Sequence, residues 1–254
     1  MNVLPIFTSH YSLGGSILTL EKPSKPEDFD PRASESIIDL CVKNNIETVF
    51  LVDDNMSGIV TASKNAKEKG LKIRFGLKVT CCADLYDKTP ESLTTEHKVI
   101  IFIKKPIGYE KVTDFYSKAA TEGLYYKPRL DLNYIKENWD DTVSLVIPFY
   151  SSFLHKNLLC GHNCIPEFGK IVPTYFREDN ELPFDYLLQD AVDKYVGKNS
   201  KHLVNTKSIY YNKNSDFKKY LTNRCIHKKS YLNSPNIDHM GSSKFSLESW
   251  LETR

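Results

Sequence analysis

The sequence has no apolar run near the roughly 20 residues that a membrane-spanning helix requires, so we expect no association with a membrane. Residues 1–5 also lack the basic and long apolar segments of a secretory signal. Cysteine is scarce, with six in 254 residues, which excludes a disulfide-rich scaffold and indicates a reducing compartment, the cytoplasm. Neither sign of charge dominates, since 34 Lys and Arg stand against 32 Asp and Glu. A site for a polyanion must therefore be local.

Several enzyme signatures are missing as well. The sequence contains no glycine-rich phosphate loop, no dinucleotide-binding fingerprint and no nucleophile elbow, so we set those enzyme classes aside. Hydrophobic residues make up 41% of the chain, which is enough for a large core and excludes a disordered protein.

The hydrophobic pattern alternates between strand and helix. Runs rich in β-branched and aromatic residues predict strands at 46–52, 71–75, 98–103, 143–147, 171–175 and 203–206. Stretches of helical period predict helices at 31–44, 57–69, 109–121, 150–159 and 184–196, with Asp30 as N-cap of the first and Gly70 ending the second. This alternation favours an α/β fold with a parallel sheet, and we predict a closed, irregular barrel over residues 1–212. Residues 213–254 are predicted to form a helical or irregular appendage packed on the barrel.

One stretch carries a family resemblance. Residues 117–131 read Ser-Lys-Ala-Ala-Thr-Glu-Gly-Leu-Tyr-Tyr-Lys-Pro-Arg-Leu-Asp. They closely resemble a segment of the polymerase and histidinol phosphatase (PHP) domain of the bacterial DNA polymerase III alpha subunit. Fainter matches follow in the same order at His10-Tyr11-Ser12-Leu13, Val52-Asp53-Asp54-Asn55-Met56, residues 69–72 and Gly108-Tyr109. The resemblance spans about residues 3–210 and implies a distorted seven-stranded β/α barrel.

The resemblance also implies a chemistry. Active PHP domains hold up to three metal ions in a pocket rich in His and Asp, and they hydrolyse phosphoesters, some as 3′ to 5′ exonucleases. Clustered divalent ions suit this reaction because they activate water and neutralise charge on the attacking and leaving oxygens.

The resemblance places unsuitable residues at the positions of the family's metal ligands. Ile6 and Thr8 stand where a His-x-His pair is expected, and Lys78 stands where a glutamate bridges metals. Ser208 and Tyr210 replace a final Asp and His. Because such side chains do not hold divalent ions, we predict no metal cofactor and no catalytic residue. By likeness to inactive PHP domains, the chain is then a docking module in replication, with a proofreading exonuclease or a polymerase as partner.

The length of the chain bears on this resemblance. The palm and fingers of a polymerase would need hundreds more residues than the 254 present, so we expect a free-standing module that cannot extend a primer. The Asn- and Lys-rich composition suits a phage, which would place the protein in the host cytoplasm.

An alternative is a rebuilt metal site. His10, Asp53, Asp54 and His97 are predicted near strand ends on the face that the resemblance marks as active. Together they would hold Mn, Zn or Mg and support a metal-dependent phosphoesterase or a 3′ to 5′ exonuclease. The competing interpretation is structural, because acids and histidines also hydrogen-bond backbone amides in turns.

The cysteines offer a second metal candidate. The segment Cys160-Gly161-His162-Asn163-Cys164, with His155 upstream, has enough soft donors for one zinc ion, but no second closely spaced cysteine pair completes the usual pattern. Buried free thiols are the simpler interpretation.

Two clusters combine cations with aromatic residues. Tyr125, Tyr126, Lys127 and Arg129 can either stack bases and pair with phosphates, giving direct DNA contact, or tie the barrel rim and contact a protein partner. We favour the second reading because the family keeps this block in inactive members. A basic cluster on a predicted helix and its exit suits either a phosphate-binding surface or a solvated helix face. It comprises Lys218, Lys219, Arg224, His227, Lys228 and Lys229.

Overall fold

The computed structural model describes residues 3–21, 35–197, 202–234 and 236–254. Within these ranges the chain alternates strands and helices. The strands are Leu4–Phe7 (β1), Thr48–Asp53 (β2), Lys72–Cys82 (β3), His97–Ile103 (β4), Arg129–Asp131 (β5), Val143–Ile147 (β6), Thr174–Arg177 (β7) and Leu203–Ile209 (β8). The helices are Ile37–Lys43 (α1), Ile59–Glu68 (α2), Gly108–Thr121 (α3), Leu132–Glu137 (α4), Phe153–Cys160 (α5), Asp185–Val196 (α6), Phe217–Lys228 (α7) and Leu247–Leu251 (α8).

The strands form one sheet in the order β2-β1-β8-β7-β6-β4-β3-β5. A further pairing of β2 with β3 closes seven of them into a barrel, and β5 is an additional strand on β3. The predicted α/β class and the seven-stranded β/α barrel are therefore confirmed.

The prediction of a parallel sheet is wrong at one strand. β4 runs antiparallel to both neighbours, with Cys81 of β3 opposite His97 and Ile100 opposite Val146 of β6. Parallel neighbours need a long crossover, usually an α-helix. Between β3 and β4 the chain forms only a 3-10 helix at Glu91–Thr95, so it returns along β3 in the opposite direction.

The strand boundaries differ most at β3. It continues seven residues beyond the predicted end at residue 75, because the chain passes Gly76 without a break and pairs along β4 as far as Cys81. A Cβ atom on Gly76 would lie 2.7 Å from Ile100 Cγ2, so glycine permits this close approach. The short strands β1 and β5 were not predicted, and the strand predicted at 171–175 forms instead at Thr174–Arg177.

The predicted helix boundaries agree better with the structure than the predicted strand boundaries do. α2 ends just before Gly70, whose φ of +71° suits glycine. The hydroxyl oxygen of Ser152 accepts the backbone N–H of His155 at the start of α5. The predicted N-cap Asp30 lies outside the described residues, and the described helix α1 begins at Ile37.

The described residues cluster into two compact units. The first combines Met1–Phe75, Asp179–Pro183 and Thr206–Arg254, and the second combines Gly76–Glu178 with Phe184–Asn205. In the first unit, Trp250 Nε1 donates to the carbonyl of Val3 at 2.8 Å, which ties the C-terminal helix to the N-terminal strand region. The division at residue 212 stays a prediction. No helix within the described ranges has the length and hydrophobicity to cross a bilayer.

Candidate functional site

Two of the positions expected to carry metal ligands are direct neighbours on β1 and β8. Ile6 of β1 pairs with Ser208 of β8 on one side and with Phe50 of β2 on the other. The backbone N–H of Thr8 donates to the carbonyl of Ile209 at 3.2 Å. The fold thus brings the first and last expected motifs side by side, but with one aliphatic side chain and two hydroxyls in place of imidazoles and a carboxylate.

Tyr210 belongs to an aromatic stack. Its ring lies 5.5 Å from that of Tyr220 at an interplanar angle of 16°, and 5.0 Å from that of Phe245 at 21°. The hydroxyl of Ser16 donates to the Tyr210 carbonyl at 2.8 Å. Tyr210 is therefore a packing residue where the resemblance expects a histidine ligand.

Lys78 occupies the expected position of the bridging glutamate. It lies on β3, in register with Ile100 of β4, and is half-buried. An ammonium group adds positive charge at the place where the resemblance needs a carboxylate to hold cations.

Asp53 is buried at the end of β2, and three groups donate hydrogen bonds to its carboxylate. The Ser9 backbone N–H donates to Oδ1 at 2.9 Å, and the Ser9 hydroxyl donates to Oδ2 at 2.7 Å. The Ser12 hydroxyl donates to Oδ1 at 2.7 Å. Burial raises the pKa of this carboxyl group, while the hydrogen bonds act in the opposite direction. Both oxygens are therefore used to fix the 9–12 loop.

Asp54 and His10 lie near this loop but make separate contacts. Asp54 is exposed, its backbone N–H donates to Ser12 Oγ at 3.1 Å, and its Oδ1 accepts from Asn55 Nδ2 at 2.9 Å. The His10 ring packs against Tyr11 at 4.3 Å, and its buried Nδ1 has no hydrogen-bond partner. Among the described residues, no hydrogen bond joins the imidazole of His10 to Asp53 or Asp54.

His97, the fourth residue of the predicted rebuilt site, belongs to the second compact unit. It opens β4 and is 3% exposed. Its Nδ1 lies 3.2 Å from Cys164 Sγ and 3.4 Å from the Thr95 carbonyl oxygen, and its ring meets that of Phe153 edge to face. Burial lowers the pKa of His97 to about 4 and raises the pKa of Cys164 to about 11. The pair is therefore a neutral thiol and a neutral imidazole at pH 7.

This burial makes the stability of the protein depend on pH. Below the ordinary histidine pKa of 6.5 the unfolded chain takes up a proton at His97, whereas the folded chain does so only near its lowered pKa of about 4. We expect the free energy of unfolding to fall by about 3 kcal/mol from this residue alone as the pH drops through that window. Urea denaturation at intervals from pH 7 to pH 4 measures the slope.

The control for this pH effect is His97→Gln, which cannot titrate. The variant should lose this part of the pH dependence, whatever its stability at pH 7. Equal slopes for wild type and His97→Gln would show that the imidazole titrates normally in the folded protein.

A cavity of about 410 Å³ lies beside the His97–Cys164 pair. Its walls include Cys82, His97, Lys136, Asn163, Cys164 and Glu167. Sequence reasoning missed the contact between His97 and Cys164 because 67 positions separate them along the chain.

The predicted zinc candidate is dispersed. Cys160 is exposed at the end of α5, whereas Cys164 is buried against His97. The side chain of Asn157 accepts from the Cys164 backbone N–H at 2.9 Å and donates to its carbonyl at 2.7 Å, which holds Cys164 in this position. The ring of His155 packs edge to face against Tyr150 and Phe184. These contacts support the interpretation of Cys164 and His155 as packed side chains, whereas the prediction of a buried thiol is wrong for Cys160, which is exposed.

Arg129, predicted to bind a partner, is fully buried instead. Its guanidinium donates to Ser92 Oγ at 3.0 Å, to the Asp87 carbonyl at 2.7 Å and, through Nε, to the Gly123 carbonyl at 3.4 Å. Glu96 Oε1 lies 3.5 Å away and supplies the opposite charge. Arg129 therefore ties the residues around β5 together and cannot reach a partner from this position.

The other members of this block differ in exposure. Arg129 lies 4.8 Å below the ring of Tyr125, which contacts Tyr126 at 4.6 Å. Tyr126 is 85% exposed and has a φ of +58°, a conformation that is unusual for a tyrosine. Lys127 Nζ pairs with Glu96 Oε2 at 2.5 Å. The block thus presents one exposed aromatic ring beside a cation that already has an acidic partner.

The described residues do not fit the metal centre that the resemblance implies. Positions 6, 8, 78, 208 and 210 carry no imidazole or carboxylate. The carboxylate of Asp53 accepts hydrogen bonds from Ser9 and Ser12. Within the described ranges, no group of three or more His, Cys, Asp or Glu side chains is arranged to hold a metal ion.

Comparison with known proteins gives a family for the chain. No curated protein matches it. The family model described as the PHP domain matches residues 33–178, which is more than half of the 254 residues. This match contains β2 to β7, the buried Asp53 and His97, and residues 125–129. Matched over that length and folded as a seven-stranded β/α barrel, the chain belongs to the PHP domain family.

Proposed function

We propose that this PHP domain does not hydrolyse phosphoesters and serves as a binding or accessory module of the DNA replication machinery, related to the PHP domain of the DNA polymerase III alpha subunit. The observation that carries the proposal is the pairing of Ile6 with Ser208 on neighbouring strands. At these positions the relationship expects a histidine and an aspartate, and neither an aliphatic side chain nor a serine replaces them as ligands. The free-standing form and the phage origin stay predictions.

Two further contacts support the loss of hydrolysis. Tyr210 is stacked between Tyr220 and Phe245, so the position of the last expected ligand contributes to packing. Asp53 accepts three hydrogen bonds from Ser9 and Ser12, which satisfy both of its oxygens within the protein. A metal ion at Asp53 would compete with these hydrogen bonds for the carboxylate oxygens.

The first experiment measures metal content and hydrolysis. The purified protein is supplied with Mn²⁺, Zn²⁺ or Mg²⁺, freed of excess metal and analysed by inductively coupled plasma mass spectrometry. Hydrolysis of bis(4-nitrophenyl) phosphate and of labelled single-stranded DNA is followed in parallel. We expect far less than one metal ion per chain and no turnover. Stoichiometric metal together with turnover would instead support the alternative, a phosphoesterase using His10, Asp53, Asp54 and His97.

Substitution of Asp53 separates a structural carboxylate from a ligand. Asp53→Asn keeps an oxygen for the Ser9 N–H and removes a buried charge, so we expect the free energy of unfolding to change by less than about 1 kcal/mol. Asp53→Ala leaves buried serine hydroxyls without their acceptor and should cost about 2 kcal/mol. Urea denaturation measures both values. If Asp53→Asn removes bound metal and turnover from an active wild type, the structural interpretation fails.

The exposed aromatic ring of Tyr126 is the proposed contact for a protein partner. Leu124 is 53% exposed and Tyr86 is 65% exposed in the same compact unit. Two of the neighbouring cations have acidic partners, since Lys127 pairs with Glu96 and Lys118 pairs with Glu122 at 2.5 Å. Lys88 Nζ instead donates to the backbone carbonyls of Glu122 and Leu124 at 2.7 and 3.0 Å. Exposed apolar side chains beside largely compensated charges suit a protein better than a phosphate backbone.

Affinity capture tests this contact. A proofreading exonuclease or a polymerase from the native host is expected to bind the wild type and to be lost from Tyr126→Ala. Tyr186→Ala is the matched control, because Tyr186 is 68% exposed on a different element, α6. Retention of the partner by Tyr126→Ala would exclude this surface. Absence of every replication protein from the wild-type capture would contradict the proposed function.

A further inference from the structure

The positive charge of the chain is concentrated around α7. Residues 213–234 contain six Lys and Arg but one acidic residue, Asp216, which gives a local net charge of +5. The whole chain has a net charge of +2, so the remaining residues together carry −3. This segment is therefore the local polyanion candidate that the overall composition leaves open.

Most of these cations have no carboxylate partner among the residues that the structure describes. Lys219 pairs with Asp216 at 2.8 Å. Arg224 donates to two backbone carbonyls, those of Asp238 at 2.5 Å and Gly14 at 3.1 Å, so no carboxylate neutralises its charge through these bonds. Lys218, Lys228 and Lys229 are exposed and form no ion pair with any described residue.

Exposed apolar side chains accompany the unpaired lysines. Tyr231 is 78% exposed and Ile226 is 68% exposed. The 12–15 loop lies against α7, since a Cβ atom on Gly14 would be 2.9 Å from His227 Cβ, and the adjacent Leu13 is 71% exposed. The region thus combines exposed lysines with one exposed aromatic ring and two exposed aliphatic side chains.

We propose that Lys218, Lys228, Lys229 and Tyr231, here called the α7 surface, bind single-stranded nucleic acid. The lysines would contact phosphates, and a base would stack on Tyr231. Favourable interaction with the helix dipole accounts for Lys228 in the last turn, but not for Lys218 in the first turn or for the exposed ring of Tyr231. The inference does not depend on the proposed docking function, because oligonucleotide binding and partner capture are measured separately.

Fluorescence anisotropy with labelled oligo-dT and oligo-U of about 20 nucleotides tests the proposal between about 50 and 200 mM salt. The wild type should bind, with affinity falling steeply as salt increases. Lys228→Glu/Lys229→Glu should weaken binding at least about tenfold at low salt. It should also reduce the slope of log affinity against log salt by about 1.4, since each phosphate contact on a single strand contributes about 0.7.

Substitution of Tyr231 tests base stacking separately from charge, because it changes the ring without changing the net charge. Tyr231→Ala should weaken binding about fivefold or more with an unchanged salt slope, and Tyr231→Phe should restore the affinity because the ring remains. Binding to both polymers or to one of them supports the proposal and identifies the polymer. Binding to anionic phosphatidylserine vesicles without binding to either oligonucleotide would overturn it.

The matched control is Lys64→Glu/Lys67→Glu. These lysines are exposed on α2, and their reversal produces the same change in net charge. The control should keep its affinity within about twofold, because the effect of the α7 surface is local. Circular dichroism confirms that each variant is folded. Equal weakening by both double variants, or no wild-type binding at low salt, would contradict the assignment.

Discussion

Replacing Arg129 with alanine is expected to lower the free energy of unfolding by about 4 kcal/mol. Arg129 is fully buried, and its guanidinium satisfies Ser92, Glu96 and two backbone carbonyls. Removing it leaves these groups without their donor and leaves the buried carboxylate of Glu96 with Lys127 as its remaining cation. Urea denaturation followed by circular dichroism measures the change.

Two variants make the Arg129 prediction decisive. Arg129→Lys keeps the charge but cannot reproduce the planar fork of donors, so it should also be clearly destabilised. Arg254→Ala removes an exposed arginine that contacts the Asn44 carbonyl and the Trp250 ring, and it should change stability by less than about 1 kcal/mol. If Arg129→Ala and Arg254→Ala are equally stable, the buried network is not a stabilising element. If Arg129→Ala fails to fold while Arg254→Ala folds, the result supports the buried network as a stabilising element.

The second large effect is expected for Gly123→Ala. A Cβ atom at this position would lie 1.9 Å from the carbonyl oxygen of Arg129 and 2.5 Å from Leu85 Cδ1. The first contact is with backbone that the Arg129 network holds in place, so a side-chain rotation cannot relieve it. We expect a loss of about 3 kcal/mol or more, at the upper end of the cost of overpacking.

Gly241→Ala is the control for this steric argument. Apart from Gly241 itself and its two chain neighbours, no residue has an atom within 4 Å of a Cβ built on Gly241, and its backbone is not in the left-handed region. This variant should stay within about 0.5 kcal/mol of the wild type in the same urea experiment. A Gly123→Ala protein as stable as Gly241→Ala would mean that the loop moves freely away from Arg129.

The sequence predicted the fold class well because hydrophobic periodicity reports which side chains are buried. The strand at Val143–Ile147 has the predicted bounds, and α2 and α6 lie within the predicted ranges. β5 is only three residues long, and the strand pattern at 71–75 does not show that β3 continues through Gly76 to Cys82. Their pairing is decided by neighbouring strands, as is the reversed direction of β4.

Some features of the candidate site are visible in the sequence, and others are seen only in the structure. The residue types at positions 6, 8, 78, 208 and 210 are visible in the sequence, and family resemblance assigns them to ligand positions. The sequence does not show that Asp53 is bound by Ser9 and Ser12 or that Cys164 contacts His97. The sequence also gives no indication that Arg129 is fully buried whereas Lys229 is exposed.

By itself, the sequence determined the chemical groups that this PHP domain possesses and the order in which strands and helices follow each other. The tertiary structure alone decided which of those groups are satisfied inside the protein and which face solvent. The physical reason is that composition and periodicity are local properties. Hydrogen-bond partners, burial and charge compensation instead depend on residues brought together from distant parts of the chain.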